Sequence, residues 1–88
     1  MANHKSAAKR ARQSVQKKTF RSRTKGSVRS AEKKLRQAIA GKDQTLAQTL
    51  LTQFSSKIDK AASKGVYHYR TAARRISRAA QQVHKLGA

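Results

Sequence analysis

Residues 43–65 read DQTLAQTLLTQFSSKIDKAASKG. Asp43 offers a side-chain oxygen to the first free N–H groups of a helix. Behind it Leu46, Leu50, Leu51, Phe54, Ile58, Ala61 and Ala62 make one continuous apolar stripe, and Gly65 stops it. A helix with one apolar side needs elements to lay that side against. Both flanks supply one.

Toward the N-terminus, Val28, Ala31, Leu35, Ala38 and Ile39 follow the three-then-four spacing of a helix face, and Gly41 is expected to be the left-handed residue that ends it. Toward the C-terminus, Tyr69, Ala72, Ala73, Ile76, Ala80, Val83 and Leu86 form a third stripe ending near Gly87. Proline is absent and β-branched residues are scattered singly, so nothing reads as strand. Two short glycine-containing turns joining three helices predict an all-α chain, an antiparallel three-helix bundle running up, down and up.

Large apolar residues are unevenly spread. Residues 1–27 contain only Met1, Val15 and Phe20, whereas fourteen lie between Val28 and Leu86. Residues 1–88 therefore read as a single domain with its core in residues 28–88 and an arm in residues 1–27. That core is small, since 15 of the 32 apolar residues are alanine. No breaker interrupts residues 6–27, so helix one is expected to continue backward until Ser6 caps it, as an arm about 30 Å long. Ala8, Ala11 and Val15 are its only partial seam, and Gly26 weakens its junction with the bundle. The arm is expected to fray alone and to become helical against an anion.

Lys and Arg number 22 against three acidic residues, Glu32, Asp43 and Asp59, a formal net charge of +19. An excess that large points to a polyanionic partner, most simply nucleic acid. Residues 1–36 hold thirteen basic and one acidic residue, residues 37–63 three and two, and residues 64–88 six and none. Helices one and three are thus expected to meet the polyanion, with helix two chiefly a brace. The candidates on helix one are Lys5, Lys9, Arg10, Arg12, Lys17 and Lys18, then Arg21, Arg23, Lys25, Arg29 and Lys33. On helix three, Arg70, Arg74, Arg75, Arg78 and Lys85 fall within one half of the helical wheel, opposite the apolar stripe. A soluble surface normally mixes signs, yet no acidic residue occurs from Lys60 to Ala88. These arginines therefore read as unpaired, with a planar fork suited to phosphate oxygens.

Enzyme chemistry is hard to assemble from what remains. The three carboxylates lie in different segments, which argues against a paired acid and base. His4, His68 and His84 lack ligand spacing, and there is no cysteine. The glycines at 26, 41, 65 and 87 are isolated, so no phosphate-cradling loop appears. No catalytic residue, metal, cofactor, small-molecule substrate or self-association is expected. Phe54 and Tyr69 are assigned to the core, while Tyr67 and Phe20 fit either core or partner. There is no aromatic pattern like that of a sheet-based RNA reader, so recognition of folded backbone shape is favoured over reading of unpaired bases. The N-terminus lacks an apolar signal core and no apolar run approaches the roughly 20 residues that span a bilayer, so a cytoplasmic protein is expected.

The opening MANHKSAAKR closely resembles the Met-Ala-Asn-x-Lys-Ser-Ala-x-Lys-Arg start of the bacterial ribosomal protein S20 family. IDKAASKGVYHYRTAAR resembles that family's Asp-x-x-x-x-Lys-Gly-x-x-His-x-x-x-Ala-Ala-Arg segment, and the helix-two start GKD and the segment SVRSAEKK fit as well. The resemblance covers essentially the whole chain. It implies a three-helix bundle with a long first helix, a structural component of the small ribosomal subunit that binds 16S ribosomal RNA directly and early in assembly. By the same resemblance Lys5, Ser6, Lys9 and Arg10 lie in the RNA-bound arm, and His68, Arg74 and Arg75 contact RNA from the start of helix three. Many members have asparagine two residues after the motif histidine, where this chain has Arg70. Arginine cannot cap a helix, so the cap is expected to pass to Thr71 or to an RNA phosphate. Composition alone suits a DNA-compacting protein equally well. A membrane-surface helix is disfavoured, because the alanine-rich stripe of helix three lacks bulky apolar residues.

Overall fold

The computed structural model describes the backbone of residues 2–87 and the side chains of residues 6–87; the side chains of His4 and Lys5 fall outside that range. Three helices follow one another, α1 (Ala2–Ala40), α2 (Gln44–Ser63) and α3 (Tyr69–Leu86), with no strand among the described residues. Helix α1 already includes Ala2, so Ser6 is an interior, exposed residue of the helix rather than its cap. At 1.5 Å per residue its 39 residues form a rod about 58 Å long. Two hydroxyls that would otherwise compete with the backbone are satisfied along it: Thr19 Oγ1 donates to the Val15 carbonyl at 2.9 Å and Thr24 Oγ1 to that of Phe20 at 2.8 Å.

The same device ends α1 and α2. After α1, the N–H of Lys42 donates to the Ile39 carbonyl and that of Asp43 to Ala38, with Lys42 in the left-handed region at φ 58°. After α2, the N–H of Gly65 donates to Ala62 and that of Val66 to Ala61, with Gly65 at φ 79°. Both are Schellman turns. The left-handed place after α1 thus belongs to Lys42 rather than Gly41, because the helix runs one residue further than the glycine suggests. Asp43 then serves twice. Its N–H closes α1, and its Oδ1 accepts the Leu46 N–H at 3.1 Å to open α2.

Helix α2 lies between the other two, which meet each other only narrowly. The buried core takes Val28, Ala31, Leu35 and Ala38 from α1, Ala47, Phe54, Ile58 and Ala61 from α2, and Ala72 and Val83 from α3. Ile39, Leu50, Leu51, Ala62, Val66, Tyr67, Ile76, Ala79 and Leu86 pack half-buried around it. Three expected core positions differ. Leu46 is 48 % exposed, because the packed line on α2 runs through its small neighbour Ala47. Ala73 is exposed, and the packed side of α3 turns toward Ala72, Ile76 and Ala79 instead. Tyr69 is 66 % exposed: it sits in the first turn of α3, and Val66 and Tyr67 from the preceding turn pack on the core at that end.

Candidate nucleic-acid interface

Elongation separates a packed part of the molecule from an unpacked one. The principal extents are 67 × 21 × 14 Å and the radius of gyration is 17.7 Å, against about 12 Å for a compact chain of 88 residues. Accessible surface is 6953 Å², where a compact protein of 9.8 kDa has about 5,200 Å². The excess is largely the arm. Every side chain from Ser6 to Arg23 is exposed, including the predicted Lys9, Arg10, Arg12, Lys17, Lys18, Arg21 and Arg23, and Lys25 is exposed beyond them. Helical geometry explains why. On the side of α1 that farther along carries Val28 and Leu35, the arm presents Arg10, Lys17 and Arg21, so no apolar partner can seat there. Phe20 is the exception; it stays 43 % exposed with the Lys64 ammonium 5.3 Å from its ring centroid.

Where α1 and α3 come together, a cleft of about 510 Å³ is lined by Arg29, Arg36, Arg75 and Arg78, with Glu32 among them. Leu35, Ile39 and Ala79 also contribute to its walls. Glu32 is half-buried; it accepts a hydrogen bond from Arg36 at 2.6 Å on its own helix and forms a looser ion pair with Arg75 at 3.8 Å across the gap. Arg75 therefore has an acidic partner, contrary to the reading of α3 alone, because the carboxylate arrives from another helix. Its guanidinium also lies over the Tyr67 ring, 5.2 Å from the centroid, which fixes the direction of the fork. Four guanidiniums against one carboxylate leave the cleft strongly cationic. Arg70, Arg74 and Arg78 are exposed on α3, and Arg29 and Lys33 on α1.

A second groove of about 380 Å³ runs between α1 and α2, past Phe20 and Val28, and carries Arg23, Lys57, Lys60 and Lys64. Helix α2 thus presents cations of its own, Lys57 and Lys60, with Lys64 just past its end. Averaging charge over residues 37–63 hides this cluster, because it splits Lys64, which caps the end of α2, from Lys57 and Lys60 although the three are spaced for one helix face.

At the start of α3, His68 is the cap. Its Nδ1 accepts the Arg70 N–H at 3.1 Å, and its carbonyl accepts the Ala72 N–H at 3.1 Å. Neither Thr71 nor a phosphate is needed for that bond, which corrects the expectation drawn from Arg70. The His68 ring stacks on Tyr69 with centroids 4.6 Å apart, and the Arg70 guanidinium lies 5.8 Å from the Tyr69 centroid. No group of three His, Cys, Asp or Glu residues able to hold a metal occurs among the described residues, and no helix among them is long and apolar enough to cross a membrane.

The family model described as ribosomal protein S20 matches residues 2–84. The small ribosomal subunit protein bS20 of Oleidesulfovibrio alaskensis is 47 % identical over 83 residues, covering 94 % of this chain and 95 % of that protein. The bS20 proteins of Desulfovibrio desulfuricans and Geotalea uraniireducens are 46 % and 47 % identical over 88 residues, covering 99 % or more of each chain. With a family model spanning nearly all of it and relatives alike from end to end, the chain belongs to the ribosomal protein S20 family.

Proposed function

We propose that this chain, a small-subunit ribosomal protein of the cytoplasm and not an enzyme, binds 16S ribosomal RNA directly through phosphate contacts and helps hold RNA helices together during subunit assembly. The observation that supports this reading best is the arm: a helix with cations on most sides, its side chains exposed from Ser6 to Arg23 and none of them in the buried core. Phosphates on several sides neutralise it, and counterion release supplies the driving force. The α1–α3 cleft and the α1–α2 groove extend the same chemistry onto the bundle, so separate RNA segments can be held by one protein. Whatever ordering the arm undergoes on binding offsets part of the gain.

Chemical footprinting of small-subunit RNA with and without the protein tests the reading. Protection confined to a few helices, and lost steeply as salt rises, is the expected result, each neutralised phosphate contributing roughly −0.7 to −0.9 to the slope of log affinity against log salt. Diffuse protection everywhere, or equal displacement by DNA, overturns it.

A further inference from the structure

Tyr69 is a large aromatic ring left 66 % exposed in a chain that has only two tyrosines and two phenylalanines. It is nevertheless held. The His68 ring stacks against it at 4.6 Å between centroids with 27° between planes, and His68 is itself fixed by the bond from the Arg70 N–H to Nδ1. An acceptor at Nδ1 places the proton of the neutral imidazole on Nε2, leaving that N–H as a donor at the edge of the stack. The Arg70 guanidinium lies over the Tyr69 ring, 5.8 Å from its centroid, on an exposed side chain that can swing aside to a phosphate and leave that face to a base; Arg74 is exposed one helical turn on, and no acidic residue occurs from Lys60 to the C-terminus. A preorganised aromatic face bordered by arginines is complementary to a nucleotide, whose base has a π-face and whose phosphate carries the opposite charge.

We propose that the Tyr69 ring receives an unpaired nucleobase of the bound RNA, with His68 holding the ring and Arg70 and Arg74 taking the adjoining phosphates. The inference rests on the RNA-binding reading above and adds recognition of an extruded base to contacts that read only the backbone. Bases inside a regular duplex offer no free face, so the site selects bulges, loops or strand ends. Tyr67 does not share the role, because it is half-buried and packs on the core.

Affinity of the full chain for two RNA duplexes tests this, one carrying a bulged 5-iodouridine and the other identical without the bulge. Wild type is expected to prefer the bulged duplex. Tyr69→Ala should abolish that preference, a loss on the order of tenfold, while leaving affinity for the intact duplex unchanged. Tyr69→Phe should retain it, and Arg74→Ala should weaken binding to both. Irradiation should join the iodouridine to the Tyr69 peptide. An unchanged preference in Tyr69→Ala, or no preference in wild type, overturns the stacking site while leaving phosphate binding intact. Failure of wild type to bind either duplex overturns both readings.

Discussion

His68 holds the first turn of α3 by a bond that an asparagine could make equally well, because Oδ1 of asparagine reaches the place of Nδ1 in the imidazole. His68→Ala is expected to lower stability by about 1 kcal/mol and His68→Asn to restore most of it, as measured by thermal unfolding. The two left-handed residues give a matched pair of predictions. At Lys42, a side chain in that region costs about 1–2 kcal/mol, while glycine costs about 0.4–1 kcal/mol through the unfolded chain. The first term is larger, so Lys42→Gly should stabilise by roughly 0.5–1 kcal/mol. Gly65→Ala should destabilise by a similar amount; nothing lies within 4 Å of the added Cβ, so the cost is backbone strain alone. Equal melting temperatures for Lys42→Gly and wild type would refute the reasoning. Neither Lys42 nor His68 stands out in the sequence: glycine is the usual left-handed residue and Gly41 stands one place early, while histidine is not among the usual caps.

At the scale of elements, α2 carries the packing. Phe54 is 1 % exposed and Leu46 is 48 % exposed on the same helix. Phe54→Ala should cost about 3–5 kcal/mol, a large share of what so small a bundle possesses, whereas Leu46→Ala should cost under about 1 kcal/mol. Circular dichroism melts of the two variants check the contrast. Val28, Leu35, Ile58 and Val83 were legible beforehand, since a stripe at 3.6-residue spacing must face something. Periodicity gives a direction around the axis but says nothing about where along it a neighbour stops. That is why Tyr69, in line with the α3 stripe, lies beyond its packed length, and why Leu46 and Ala47 exchange roles. The cationic clusters were legible helix by helix; Glu32 beside Arg75, and Arg23 beside Lys57 and Lys60, required the helices to be brought together.

For the whole molecule, the division of labour between arm and bundle predicts separable losses. Among the described residues all ten buried core positions lie at Val28 or beyond, so deletion of residues 2–25 should leave helicity and cooperative melting of the remainder in place. RNA affinity should fall greatly and the salt dependence flatten, because nine of the 22 basic residues are removed. Equal binding by the truncated chain would overturn the arm's role. Continuity of α1 through Gly26 and into the core has one more consequence, which concerns phase. One added residue beside Gly26 leaves both halves helical yet turns the arm about 100° relative to the bundle, so the cations of the two parts no longer face the same way. Seven added residues bring the azimuth back to within about 20° while sliding the arm about 10.5 Å along its axis. On the proposed RNA-binding reading the uninterrupted rod sets an angle as well as a length, and affinity across a ladder of insertions should oscillate with the helical repeat instead of declining smoothly.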